Sequence, residues 1–139
     1  MKATELRIGN HIQWNNPKNE IEIIRVIGEN VVGLNSDIPS DTLTPLDFFK
    51  PIPLTEEWLL KFGFEKKEDL SVHPGSRKYY FFYVKNNLIL SISNVTDFNI
   101  EFKFQSFDAA CYLSIKLQYV HQLQNLCFAL TNEELTIKK

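Results

Sequence analysis

The sequence predicts an α+β protein: a small N-terminal SH3-like unit of β-barrel type, then a four-stranded antiparallel meander covered by a C-terminal helix. Three observations lead to this prediction. Short β-branched segments separated by tight turns fill residues 1–53. Aromatic and aliphatic residues alternate with polar ones over much of residues 78–117. An amphipathic segment follows at residues 118–130. We therefore expect two domains, residues 1–53 and residues 54–139.

The first strand of the N-terminal unit is predicted just after a Gly-Asn kink. Alternation of apolar and polar residues places Ile8, Ile12 and Trp14 inward and His11 and Gln13 outward. The Gly-polar-x-apolar entry and the strand-turn-strand after it are typical of SH3-like barrels, which bind peptides or nucleic acids or brace a neighbouring domain. Further strands are predicted at residues 20–27 and 31–34.

A short helix is predicted over residues 55–62. Thr55 is a good N-cap residue, and acidic residues follow it in the first turn, where the helix dipole favours negative charge. Gly63 suits the left-handed position after the helix, and Phe64 would then fold back on Leu59 in a Schellman ending.

Two polar segments follow this helix. Residues 65–69 form a mixed charge run, which we interpret as a solvated connector. Residues 73–78 carry a histidine, a Gly-Ser pair and two cations, and we interpret them as a surface turn, with anion binding as the alternative. The candidate anion or nucleic-acid contacts in this region are Lys66, Lys67, Arg77 and Lys78.

The meander is predicted from four alternating segments, with strands at about residues 78–85, 88–93, 98–104 and 111–117. Asn86 and Asn87 can adopt the positive φ angles of a two-residue hairpin turn. This turn places Tyr83 opposite Leu90. A five-residue loop after the second strand would then place Ile100 opposite Leu90 as well.

This register gives the sheet one apolar face and one face that is mostly polar. The C-terminal helix at residues 118–130 is the expected cover of the apolar face, with His121 and Gln124 on its polar side. Cys111 and Cys127 would lie in this interface as buried thiols. The apolar residues left without an evident core role form the candidate interaction surface: Tyr80, Phe82, Val84, Ile89 and Phe128. The alternatives for the strand residues are cover by the helix at 55–62, by the N-terminal unit, or by another molecule.

Three segments carry a resemblance that spans nearly the whole chain: LRIGN at residues 6–10, PIPLTEEWLLKFGF at 51–64 and YVHQLQNLCFAL at 119–130. The chain resembles a group of uncharacterised proteins from gut anaerobic bacteria and their phages or prophages. The resemblance implies an intracellular protein of phage or mobile-element origin. The resemblance assigns no catalytic or binding residue to this chain.

The composition narrows the function classes. A net charge of −2 provides no global basic surface for nucleic acid, and no apolar run approaches the 18 residues of a membrane span. The N-terminus lacks the apolar core of a signal peptide, so we expect a cytoplasmic protein. His11, His73 and His121 stand in no metal-ligand spacing, and no catalytic constellation, phosphate loop or cofactor motif is present.

A non-catalytic protein-interaction module is therefore the leading hypothesis, with a partner that is either a second copy or a foreign protein. The alternative is a nucleic-acid-binding module that uses the aromatic sheet and the local cation cluster.

Overall fold

A computed structural model describes residues 1–37, 42–68, 81–85, 88–92, 100–106, 109–114 and 117–138. For the described residues between 67 and 114, the structure gives the backbone pairing of the strands. Contacts divide the chain into two units. Unit 1 comprises Met1–Pro53 and Tyr119–Leu135, and unit 2 comprises Leu54–Gln118 and Thr136–Lys139. Strands and helices occur together, so the predicted α+β class is confirmed. Within the described ranges, no helix has both the length and the apolar character needed to cross a membrane.

Unit 1 contains an antiparallel sheet of five strands in the order β4-β3-β2-β1-β5. Strands β4 and β5 are the two edges of this sheet and do not pair with each other, so the sheet stays open. The predicted closed SH3-like barrel is therefore not supported. Each edge strand is only two residues long, which leaves little backbone to close a barrel. The strands are β1 (His11–Trp14), β2 (Ile21–Ile27), β3 (Val31–Leu34), β4 (Thr44–Pro45) and β5 (Phe49–Lys50).

One face of this sheet is the apolar core of unit 1. The Trp14 and Phe49 rings lie 4.4 Å apart across the β1–β5 pair. Ile8 was expected inward, yet it is 60% exposed. Gly9 has a φ of +92°, and this left-handed residue interrupts the two-residue period before β1 begins. The buried residues of the core are Leu6, Ile12, Ile24, Val32, Leu34, Leu46 and Phe49.

The C-terminal helix, α2, spans Val120–Thr131. Asn132 ends it with a φ of 59°, the left-handed conformation that Asn can adopt at a helix end. Its grouping with the N-terminal strands differs from the prediction that it covers the meander. Hydrogen bonds from its polar side chains to β1 give the reason. An apolar stripe predicts that a helix buries one face, but it does not predict the partner.

The buried face of α2 is also rotated from the predicted one. His121 and Gln124, expected on the polar side, are 1% and 0% exposed. Leu126 and Leu130, which belong to the apolar stripe of the helix, are only partly buried. The apolar stripe alone therefore did not predict the docking angle, because polar groups on β1 hold Gln124 inside.

Unit 2 begins with a short helix, α1, over Glu56–Lys61. Thr55 occupies the N-cap, although its side chain makes no capping hydrogen bond. Gly63 has a φ of +83°, and the Phe64 and Gly63 amides donate to the carbonyls of Leu59 and Leu60 at 3.0 and 2.9 Å. These two bonds are the Schellman ending that the sequence predicts.

The sheet of unit 2 has five strands in the order β10-β9-β8-β7-β6, one more than predicted. The addition is β6, which lies in the charge run that we interpreted as a solvated connector. It pairs antiparallel with β7, with Lys66 opposite Tyr83. A charged edge strand resists pairing with other chains, so this charge pattern has a structural explanation. The strands are β6 (Glu65–Glu68), β7 (Phe81–Lys85), β8 (Leu88–Ile92), β9 (Ile100–Ser106) and β10 (Ala109–Ser114).

The predicted register of β7 with β8 is confirmed, because Tyr83 lies opposite Leu90. The predicted turn at Asn86 and Asn87 lies outside the described residues. The β8–β9 register differs, because Ile100 lies opposite Ile92 and not opposite Leu90. This is a slip of two residues. Because the side-chain period of a strand is two, the slip keeps the same residues on the same face.

Candidate functional site

The most unusual feature of unit 1 is a set of polar side chains where α2 meets β1 and the N-terminal segment. We call it the polar joint, and it consists of Asn10, His11, His121, Gln124 and Asn125. Four of these residues are buried, whereas most protein interiors exclude such groups unless they are hydrogen-bonded. His11 and Ile12 are adjacent in β1 and both are buried, so both faces of the sheet are covered at β1.

Gln124 is the centre of the polar joint. Its Oε1 accepts the His11 backbone N–H at 2.9 Å, and its Nε2 donates to the Gly9 carbonyl at 3.2 Å. Nε2 also lies 2.8 Å from His11 Nδ1 and 3.5 Å from the Leu135 carbonyl. The side-chain amide therefore acts like a peptide group of a neighbouring strand, at the part of β1 that short β5 does not reach.

These contacts determine the protonation state of His11. A backbone N–H can only donate, so the Gln124 atom that meets it must be the oxygen. The other atom is then the NH₂ group, and His11 Nδ1 must accept from it. His11 is therefore neutral, with its proton on Nε2. Burial also lowers the pKa of His11 below its ordinary value of 6.5.

His121 has a different environment. Its ring lies nearly parallel to that of Tyr119, with 5.8 Å between centroids and 7° between planes. Neither ring nitrogen has a hydrogen-bond partner among the described residues. Burial is the main cause that lowers its pKa; the Glu5 carboxylate raises the pKa and the amino terminus lowers it further.

A second set of contacts joins the far end of α2 to the N-terminal segment. The Arg7 guanidinium lies 3.7 Å from the centre of the Phe128 ring and 2.8 Å from the Glu134 carboxylate. Asn125 donates to the Glu5 carbonyl at 2.8 Å and accepts from the Asn10 side chain at 2.9 Å. Phe128, a predicted surface residue, is thus half-buried beneath Arg7.

The other predicted surface residues belong to the sheet of unit 2. Register places Phe82, Val84 and Ile89 on one face, with Phe82 opposite Ser91 and Val84 opposite Ile89. On the edge strand, Glu65 and Lys67 lie opposite Val84 and Phe82. Tyr80 lies outside the described residues. The structure therefore does not place Phe128 together with the strand residues, and their joint role stays a prediction.

The predicted cation cluster is only partly described. Lys66 Nζ lies 2.7 Å from the Glu56 carboxylate, so its charge is already paired. Lys67 is placed by backbone pairing in β6. Arg77 and Lys78, together with His73, lie outside the described residues.

A second surface emerges on the outer face of the unit 1 sheet. We call it the β2 strip, and it consists of Ile21, Ile23, Val26 and Leu43. Ile23 lies opposite His11, and Ile21 opposite Gln13, so both share the face on which α2 docks. The four side chains are 38–52% exposed.

A bulge in β2 brings Val26 onto this face. The pairing shifts between Ile24 and Val26, so that Ile24 lies in the core while Val26 lies opposite Gly33. A Cβ atom at Gly33 would lie 3.2 Å from Val26 Cβ and 3.5 Å from Leu43 Cδ2. Gly33 is buried, and Val26 and Leu43 lie close to the space that a side chain at this position would need.

A cavity of about 520 Å³ opens beside the N-terminus. Its wall carries the Glu29 and Asp47 carboxylates and Lys2, but no histidine or cysteine. Elsewhere in the described part of the chain, no three histidine, cysteine or acidic residues lie close enough to share a metal ion.

Sequence reasoning missed both Gln124 and the β2 strip. Gln124 was assigned to the polar side because it falls outside the apolar stripe of the helix. The β2 strip was hidden by the bulge, since one unbroken period cannot place Ile23 and Val26 on the same face. The available signal was an excess of apolar residues in residues 20–27, more than one buried face requires.

Comparisons with known proteins add no relative to this description. No family model, no curated protein and no solved structure matches the chain. Any function must therefore be argued from the described residues themselves.

Proposed function

We propose that this chain is a non-catalytic protein-interaction module and that the β2 strip is its contact surface. The observation that carries the proposal is the exposure of four apolar side chains along one sheet face. Single exposed apolar residues are ordinary, whereas a contiguous row of them usually marks a binding surface.

The position of the strip supports this proposal. Helix α2 covers the same face at β1, where His11 is 5% exposed, whereas Ile23 opposite it is 38% exposed. Val26 and Leu43 both lie close to the buried Gly33, so these two apolar side chains are neighbours within the strip. A sheet surface of this kind suits a partner that also presents an apolar face.

The nucleic-acid alternative is not put forward. It depends on a local cation cluster, and Lys66 within that cluster is engaged by Glu56.

The test compares two variants of the tagged chain in a pull-down from the source cells, with recovered proteins quantified by mass spectrometry. The first variant combines Ile21→Ser and Ile23→Ser, which changes two exposed positions of the strip and should leave folding nearly unaffected. The matched control is Phe48→Ser, because Phe48 is 57% exposed and lies outside the strip.

We expect proteins recovered with the wild type to be lost with the double variant and kept with the control. Light scattering on the same three proteins covers the case in which the partner is a second copy. If wild type and double variant show the same recovered proteins and the same mass, the β2 strip is not the contact surface.

A further inference from the structure

The polar joint fastens α2 at its middle, whereas backbone bonds fasten its beginning. The Val120 amide donates to the Ile52 carbonyl at 2.9 Å, and Tyr119 forms a β-bridge with Pro53. These bonds do not change with pH. Four residues later, Gln124 holds the helix against β1 through contacts that require a neutral His11.

Protonation of His11 conflicts with this geometry. The Gln124 oxygen is committed to the His11 N–H, so its NH₂ group points at Nδ1. A proton on Nδ1 would bring two donors together at 2.8 Å, with no acceptor between them. Gln124 cannot rotate its amide to compensate, because the nitrogen would then meet the backbone N–H.

His121 adds a second site that acid would disturb. Its ring is 1% exposed and both nitrogens are unpartnered among the described residues, so an imidazolium there would be buried without a hydrogen bond. Helix α2 itself contains no acidic or basic side chain besides this histidine.

We propose that the polar joint is an acid-sensitive latch: protonation of His11 and His121 releases α2 from β1, while its first residues stay attached to residues 52 and 53. The release exposes the outer face of β1 and leaves the apolar core on the other face intact.

The charged groups around the latch do not cancel the destabilising effect of protonation. On the N-terminal segment, the Glu5 carboxylate favours protonated His121 and the amino terminus opposes it. Arg7 and Glu134 flank the far end of α2 and pair with each other at 2.8 Å. For His121, burial outweighs these charges.

The expected size follows from proton linkage. A released histidine titrates near its ordinary value of 6.5, so at pH 5.5 the opening equilibrium rises by up to about tenfold for each histidine. Both histidines together give up to about a hundredfold.

Hydrogen exchange read by mass spectrometry tests the latch at pH 7.5 and 5.5, after correction for intrinsic exchange rates. We expect opening of residues 120–131 to increase about 10- to 100-fold at pH 5.5. Residues 31–34, which belong to the core strand β3, are the internal control and should keep their protection.

Two variants isolate the cause. Combining His11→Asn with His121→Leu retains an acceptor near the position of Nδ1 and removes both titrating groups, so the pH effect should vanish. Gln124→Glu supplies a carboxylate that pairs with protonated His11, so α2 should be better protected at pH 5.5 than at pH 7.5.

Three results would overturn the proposal: equal opening of residues 120–131 at both pH values, an acid effect that persists in the double variant, or parallel loss of protection in residues 31–34. If the double variant does not fold, the Gln124→Glu variant tests the proposal alone. In that case, equal or lower protection of α2 at pH 5.5 than at pH 7.5 in Gln124→Glu counts against the latch.

Discussion

Gln124 offers the most direct test of how unit 1 is held together. The substitution Gln124→Leu keeps a similar side-chain volume and removes both amide atoms. Two buried groups and one part-buried group then lose a partner: the His11 N–H at 2.9 Å, His11 Nδ1 at 2.8 Å and the Gly9 carbonyl at 3.2 Å.

The magnitude follows from these losses. Each buried polar group left without a partner costs about 1–3 kcal/mol. Burial of the added apolar surface returns about 1.5–3 kcal/mol. With central values for both figures, the net loss in the free energy of unfolding is roughly 4 kcal/mol, a large share of the 5–15 kcal/mol that is usual for a domain.

Urea unfolding at pH 7.5, followed by tryptophan fluorescence and circular dichroism, measures this loss. The matched control is Gln122→Leu, the same change two positions earlier in α2. The Gln122 side chain accepts the Tyr119 N–H at 3.1 Å in a half-buried position, so we expect a cost of about 1 kcal/mol or less. An equal or smaller loss for Gln124→Leu than for this control would refute the reasoning.

Three further predictions concern other parts of the chain. In thermal unfolding, Gly63→Ala should lower the free energy of unfolding by about 1 kcal/mol, because Gly63 has a φ of +83°. Asn132→Gly, at the other left-handed helix end, is the control and should change it by less than about 0.5 kcal/mol. Equal effects of the two substitutions would contradict this prediction. Phe128→Leu should lower the free energy of unfolding by about 0.5–1 kcal/mol, because it removes the cation–π contact with Arg7. A double-mutant cycle with Arg7→Ala should show a coupling energy of that size. Additive effects of the two substitutions would argue against the contact. Lys66→Val should increase concentration-dependent association in light scattering, because it removes a charge from the β6 edge; an unchanged mass up to high concentration would show that this charge does not protect the edge.

The β2 strip shows how a single bulge limits inference from pattern. Alternation predicts faces correctly only while the period is unbroken, and in β2 it is broken after Ile24. The sequence showed that the strand is apolar, but it did not show on which face of the sheet Val26 lies.

Local features were determined by the sequence alone. A two-residue turn at Asn86 and Asn87 predicted the register that β7 and β8 have, and Gly63 determined the Schellman ending of α1. Asn132 likewise determined where α2 ends. Each of these depends on the φ preferences of one or two residues and on hydrogen bonds that span only a few positions, so no distant contact is needed to predict them.

The tertiary structure alone decided what α2 packs against and which of its residues are buried. An apolar stripe shows that a helix must bury one face, but it does not identify the partner of that face. Gln124 is buried because its amide pairs with the His11 N–H of β1 and with the carbonyl of Gly9, and those groups lie 113 residues or more away along the chain. Whether a polar side chain is buried depends on such a partner, and the partner exists only once the strands have assembled.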